Sequence, residues 1–264
     1  MRAPPKKRFG QHFLHDRSVV QRIVAQFAPT EAQTVVEIGP GRGALTTALL
    51  DIIPRLHAVE LDRDLLADLQ AQFGGRGLTL HHADALRFDF CACAPGDNSG
   101  EKLRVIGNLP YNISTPILFH LLDQVHCIAD MCFMLQKEVV DRMCAPPGGK
   151  DYGRLSVMIQ TRCAVTPWFH VAPGAFQPPP QVDSTIVHLT PHATPPVTIR
   201  DQQRFARIVQ AAFAQRRKTL RNSLRDWISA ADWREAGIDP IRRAETLSLE
   251  EFAAISNLPG NLPG

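Results

Sequence analysis

The most chemically specific stretch of the chain is Asn108-Leu109-Pro110-Tyr111, which follows a short apolar run at 103–106. An exocyclic aromatic amine such as N6 of adenine is a poor nucleophile, because its lone pair is delocalised into the ring. Two hydrogen-bond acceptors on its N–H groups favour pyramidalisation and free that pair. The Asn108 side-chain carbonyl can be one acceptor. A backbone carbonyl, that of Leu109, can be the other, with Pro110 fixing the local chain direction. Tyr111 can stack on the purine, a contact worth about 1–3 kcal/mol per base. The plainer reading is a strand-end turn with a core tyrosine.

A second set of residues would hold the group such an amine attacks. Gly39, Gly41 and Gly43 follow the β-branched run 34–38 and open a helical pattern. Glycine suits backbone that must turn tightly and approach a ligand closely. The spacing is G-x-G-x-G rather than the G-x-G-x-x-G of pyrophosphate-binding folds, although Ala44 at the sixth position keeps a dehydrogenase pattern open. Glu60 ends the next run, 21 residues after Gly39. A carboxylate there can accept both hydroxyls of a ribose diol, which points to an adenosine-containing ligand without a 2′-phosphate. Asp84, after the third run, is placed to accept a bond from the ligand's adenine amino group. With Asn108 ahead of them, these residues fit in-line attack of the amine on the sulfonium methyl of S-adenosylmethionine. Positioning supplies most of the rate in such a transfer. The product ammonium is acidic, so no strong base, Ser/His/Asp set or metal is required, and none is expected. Phe176, in the proline-stiffened stretch 174–184, could lie on the second face of the target base; the alternative is a structural loop with a buried phenylalanine.

The elements that must position these residues alternate. Strands at 34–38, 56–61, 78–82, 103–106 and 131–135 are separated by helical patterns at 44–51, 63–73, 115–122 and 137–144. That alternation implies parallel βαβ units and a sheet covered on both faces. Beyond Gly153 a helix at 155–161 precedes strands at 164–170 and 184–189, expected as a hairpin on the sheet edge. The expected fold class is α/β: a Rossmann-like, mostly parallel seven-stranded sheet with helices on both faces, plus a small C-terminal all-α domain. We place the domains at 1–193 and 194–264, joined by the proline-rich 191–196, with helices at 202–213, 218–230 and 249–255. Ser248 and Glu251 form a capping-box pattern, and the tail from Asn257 is expected to fray.

Composition sets limits. With 264 residues, 44% hydrophobic and 21% charged, the chain is globular, and its formal charge of +3 demands local rather than global basicity for any nucleic-acid role. Residues 200–225 carry Arg200, Arg204, Arg207, Arg216, Arg217, Lys218, Arg221 and Arg225 against Asp201 alone. On a continuous helix Arg217, Arg221 and Arg225 would share one face, either to bind phosphates or as a solvated surface. Lys6, Lys7 and Arg8 form a second cluster. No stretch approaches 18 apolar residues, and the basic N-terminus lacks a following apolar run, so a soluble, cytoplasmic protein with no membrane partner is expected. The six cysteines show no C-x-x-C pair and are expected to be reduced thiols. Cys91 and Cys93 share a polar loop and are a weak metal candidate.

Taken in order, Phe9-Gly10-Gln11-His12-Phe13-Leu14, Glu37-Ile38-Gly39-Pro40-Gly41-Arg42-Gly43, Val59-Glu60-Leu61-Asp62, Asp84-Ala85, Asn108-Leu109-Pro110-Tyr111 and the Phe176–Ser184 stretch resemble the ribosomal RNA adenine N6-dimethyltransferases. The resemblance extends to Arg216-Arg217-Lys218-Thr219-Leu220 and is strongest to the type acting on small-subunit (16S) RNA. It implies S-adenosylmethionine contacts from His12 and Leu14 on an N-terminal arm. Many relatives carry asparagine where this chain has His12. Gly39, Gly41, Glu60, Asp84, Ala85 and Asn108 would complete the site, and Glu37 would order the glycine loop. The implied function is dimethylation of two adjacent adenosines in a hairpin loop near the 3′ end of 16S RNA, within the immature 30S subunit, by a monomer. Two alternatives stand beside it: a large-subunit (23S) methyltransferase of the antibiotic-resistance type, and a non-catalytic assembly factor with the same fold.

Overall fold

The computed structural model describes residues 11–95, 100–215 and 217–258. A short strand, β1 (Phe13–Leu14), leads into helix α1 (Arg17–Phe27). Then come β2 (Val35–Ile38), α2 (Ala44–Leu50), β3 (Leu56–Glu60), α3 (Arg63–Phe73), β4 (Leu78–His82), β5 (Leu103–Asn108), α4 (Ser114–Asp123) and β6 (Ile128–Gln136). After them run α5 (Lys137–Cys144), α6 (Arg154–Gln160), β7 (Cys163–Val171), β8 (Phe176–Gln177) and β9 (Ser184–Pro191). Seven strands form one sheet in the order β4-β3-β2-β5-β6-β9-β7. Pairing is parallel from β4 to β6, and β9 runs antiparallel to β6. The strand order reverses between β2 and β5, so the loops leaving those two strands flank a topological switch point, where open α/β sheets bind ligands.

Local chemistry explains the elements. The Val35–Ile38 strand is buried along its whole length, as a strand covered on both faces requires. Helix α3 is capped by Asp62, whose side chain accepts the Asp64 N–H, and buries Leu65, Leu69 and Phe73 along one stripe. Arg104 on β5 forks onto Asp130 on β6 through Nε and Nη2, each at 2.7 Å, and His188 on β9 bonds the same carboxylate. Three neighbouring strands are thereby stitched in a largely buried network.

The chain divides into two compact units. One gathers the chain up to Val140 with Val165–Pro191, around a core that includes Ile23, Phe27, Val35, Leu56, Ile106 and Phe176. The other gathers Asp141–Ala164 with the chain from His192 onward. It holds α7 (Gln202–Phe213), α8 (Leu220–Ser223), α9 (Ala230–Ala236) and α10 (Leu249–Asn257). The expected boundary at 193/194 lies beside the observed junction, but 141–164 was expected with the first domain. It packs with the C-terminal helices because Tyr152 and Val157 sit in one apolar cluster with Phe205, Trp233 and Phe252.

Other expectations need correction. The helix expected at 218–230 is interrupted: Ser229 accepts the Asp232 N–H, Asp232 bonds back to the Ser229 N–H, and this capping box starts α9 afresh. Arg217, Arg221 and Arg225 therefore do not share a continuous helix face. Arg204 of the same basic run is buried, with Nε donating to the Ser256 carbonyl. The capping box at Ser248 and Glu251 is present. Cys91 and Cys127 form a disulfide across Cα atoms 5.6 Å apart, whereas Cys93, Cys132, Cys144 and Cys163 are free. Gln124 brings the pair together, its side-chain carbonyl accepting the Phe90 N–H; a separation of 36 residues carries no sequence signal of that proximity. Among the described residues, no helix is long and apolar enough to cross a membrane. The Lys6–Arg8 cluster, Arg216 and most of the tail from Asn257, which was expected to fray, fall outside the described residues.

Candidate active site

A cleft opens at the carboxyl ends of the parallel strands. Its floor is the glycine loop after β2, where Gly39, Gly41 and Gly43 take φ of 66°, 58° and 81°. Side chains are strained in that region, and a Cβ on Gly43 would also come within 2.6 Å of the Phe73 ring. Glu37, two residues before Gly39, is fully buried and accepts a 2.6 Å bond from Thr46 Oγ1 on α2. The loop is thus clamped between its flanking strand and helix. Burial pushes Glu37 up to about 7, against the Thr46 hydroxyl and with the Glu60 charge.

Glu60 lines the same cleft. Its Oε1 accepts the N–H groups of Leu61 and Asp62, both at 2.9 Å, which fixes the carboxylate at the strand end. Burial raises its pKa, opposed by those N–H groups and that of Gly41. Asp84 lies beyond β4, its Oδ1 accepting the Leu86 N–H at 3.0 Å, and it too lines the cleft. Leu65, Leu86 and Ile113 supply apolar wall.

Asn108, Leu109, Pro110 and Tyr111 leave β5 directly into this cleft. The Asn108 Nδ2 donates to the His12 carbonyl at 2.9 Å, so the other branch of the amide, Oδ1, is the acceptor available to a bound amine. The Tyr111 hydroxyl is hydrogen-bonded to Ser184 Oγ at 2.5 Å, and burial raises its pKa. Its ring stacks on His12 with centroids 5.5 Å apart.

The N-terminal arm covers one side. Strand β1 pairs antiparallel with β8, opposing Phe13 to Gln177 and Leu14 to Phe176. His12 Nδ1 lies 2.8 Å from the Pro178 carbonyl, and Gln11 Nε2 donates to Asp62 Oδ2 at 3.3 Å. His12, Leu14, Gly39, Gly41 and Glu37 all line the cleft. Two expected site residues do not. Ala85 is half-buried beside Asp84 without lining it. Phe176 is only 2% exposed and belongs to the core, so it does not present a face to a base.

Sequence reasoning gave no role to Gln11, Thr46 or Ser184. Thr46 lies in the expected 44–51 helix and Ser184 ends the Phe176–Ser184 stretch, but hydroxyl partners nine and 73 residues away in sequence leave no periodic trace. Gly107 was also missed. A Cβ there would meet the Ile38 carbonyl at 2.5 Å, so only glycine lets β5 lie this close to β2 just before Asn108.

Together Glu60, Asp84 and the Asn108 amide line one cleft, with groups able to bond a diol, a base edge and an amine. Residues 3–259 match the family described as ribosomal RNA adenine dimethylase. The chain is 53% identical over 260 residues to the ribosomal RNA small subunit methyltransferase A of Pseudomonas aeruginosa, covering 98% of this chain and 96% of that protein. It is 55% identical over 256 residues to the protein of the same description from Xylella fastidiosa, covering 97% and 96%. Among solved structures, a dimethyladenosine transferase from Plasmodium falciparum superposes with a TM-score of 0.75 at 23% identity, covering 92% of this chain and 96% of the other. The 23S rRNA methyltransferase ErmE gives 0.66 at 25% identity, covering 92% and 98%.

Proposed function

The chain belongs to the ribosomal RNA adenine dimethylase family, and on that footing we propose that it uses S-adenosylmethionine to dimethylate N6 of two adjacent adenosines in a hairpin loop near the 3′ end of 16S RNA. It does so as a cytoplasmic monomer on the immature 30S subunit. The observation that carries the site-level reading is the Asn108 amide, anchored through Nδ2 to His12 and so oriented at the head of a cleft shared with Glu60 and Asp84.

The residues present fit the donor. A buried carboxylate at a strand end suits a ribose diol, Asp84 suits an adenine amino group, and Gly41 forms a cradle that a Cβ would fill, since it would touch the Phe13 ring at 3.0 Å. Gly39, Gly41, Glu60 and Asp84 would hold S-adenosylmethionine, with His12 and Leu14 closing over it. When bound, it supplies an electrophilic sulfonium methyl. The chain's own work is to orient: Asn108 Oδ1 and the Leu109 carbonyl accept the N–H groups of the entering amine and direct its lone pair into the cleft. Tyr111, braced by Ser184, offers ring surface to the base. After one methylation the amine keeps one N–H, so one acceptor suffices for the second round.

The family's large-subunit branch is the competing reading, and the ErmE likeness is what favours it. Identities above 50% to small-subunit relatives outweigh it. Labelled methyl transfer to immature 30S particles, compared with free 23S RNA, tests the assignment. Transfer to 30S, mapped by mass spectrometry to paired dimethyladenosines, is the expected outcome. Label in 23S RNA alone would favour the other branch. No transfer to either, without measurable S-adenosylmethionine binding, would leave an assembly factor.

A further inference from the structure

Away from the cleft, three side chains of metal-binding type converge at the β4 edge of the sheet. His57 on β3 pairs in register with Thr79 on β4, which places His81, two residues on, diagonally across on the same face. The two imidazoles stack with centroids 5.3 Å apart, and His57 Nδ1 lies 3.0 Å from His81 Nε2. The single-turn helix Phe90–Cys93 folds back over them and puts Cys93 Sγ 3.8 Å from the same His81 nitrogen. The three ligand atoms all lie within 4.8 Å of one another.

We propose that His57, His81 and Cys93 form a site for one zinc-class divalent transition-metal ion, unconnected with methyl transfer. The spacing matches the chemistry. A tetrahedral ion with bonds of about 2.0–2.1 Å to nitrogen and 2.3 Å to sulfur separates two nitrogens by about 3.3 Å and nitrogen from sulfur by about 3.6 Å. The donors are two imidazoles and a thiol, the set that borderline-soft ions prefer over oxygen. A cysteine ligates as thiolate, so binding displaces the Cys93 thiol proton to solvent. Phe88 packs on His81 at 5.0 Å and shields one side, while the half-exposed histidines leave water access for a fourth ligand. The bound ion would tie β3, the edge strand β4 and the following turn together. A neighbouring trio, Cys91, His126 and Cys127, is no rival, because both its sulfurs are held in the disulfide.

The test uses the full-length, untagged protein, stripped with chelator and kept free of reductant. It is titrated with Co²⁺ while thiolate-to-cobalt charge-transfer absorption is followed, and then with Zn²⁺. The proposal expects a band that saturates at one equivalent and disappears on zinc addition. It expects no band in Cys93→Ser, affinity at least about tenfold weaker in His57→Ala and His81→Ala, and no change in His126→Ala. A wild-type protein without the band overturns it, as does a band retained in Cys93→Ser or lost in His126→Ala. If Cys93→Ser does not fold, the two histidine variants decide: weaker binding supports the site, and wild-type affinity in both overturns it.

Discussion

Asn108 uses both ends of its amide, and the two ends do different work. Nδ2 holds the arm through the His12 carbonyl, and Oδ1 is left for the amine. Asn108→Ala should therefore reduce methyl transfer by about 10²-fold or more, the usual cost of losing one preorganised polar group, while S-adenosylmethionine affinity falls only by the few-fold that the loosened arm costs. Glu60→Ala should do the reverse, weakening cofactor binding before turnover; isothermal titration beside single-turnover assays separates the two, and equal losses in both for Asn108→Ala would reassign it to the cofactor. Glu37 gives a second residue-scale prediction. Its folded pKa, about 7, lies above the ordinary 4.5. The folded state then binds a proton that the unfolded state releases, so the associated stability is full below about pH 4.5 and is lost as pH rises through about 7. The loss is at most about 3 kcal/mol. Glu37→Gln keeps an acceptor for Thr46 and removes the titration, so ligand-free melting of this variant should decline less between pH 5 and 8 than that of the wild type. Parallel melting curves over that range would show that Glu37 does not titrate between pH 5 and 8.

Elements were legible wherever one local signal set them. The 63–73 helix is found as Arg63–Phe73 because Asp62 caps it and its apolar stripe has a single period, and 78–82 emerges as Leu78–His82. The glycine loop, Glu60, Asp84 and Asn108 could be placed for a related reason: each sits at or just past the end of a strand that the pattern reveals. What could not be read is pairing over distance. Strands β1 and β8 have two residues each and meet across more than 160 positions, too short for any periodicity. Phe176 suffers from this. Its flanking prolines suggest a rigid presenting loop, whereas its pairing with Leu14 draws the ring into the core and lets it anchor the arm. Phe176→Ala should accordingly destabilise the protein by about 3 kcal/mol or more through the cavity it leaves. Phe176→Leu should keep the kcat of wild type within a few-fold. A stable Phe176→Leu protein with kcat reduced a hundredfold would return the ring to the target base.

On the scale of the whole molecule, a formal charge of only +3 means that phosphate recognition must come from where cations gather rather than from a general field. Within the helical unit, Arg221, Arg225 and Arg234 border a concave surface beside Trp233 and Ile228. The interrupted helix does not align them by period, yet Arg221 in α8 and Arg225 in the turn between α8 and α9 are both exposed. The ion pair of Arg225 with Asp226 spans 3.4 Å between exposed groups. Such pairs contribute little, so this one does not keep the guanidinium from a phosphate. If these arginines touch the RNA backbone, each contact releases counterions, and the salt dependence of binding counts them. The Arg221→Ala/Arg225→Ala protein should bind a 16S-derived hairpin more weakly, with a log-affinity against log-salt slope shallower by about 2. Its S-adenosylmethionine affinity should not change, because neither residue lies in the unit that holds the cleft. A slope equal to that of the wild type would place the RNA path elsewhere on the molecule, whatever the variant's absolute affinity.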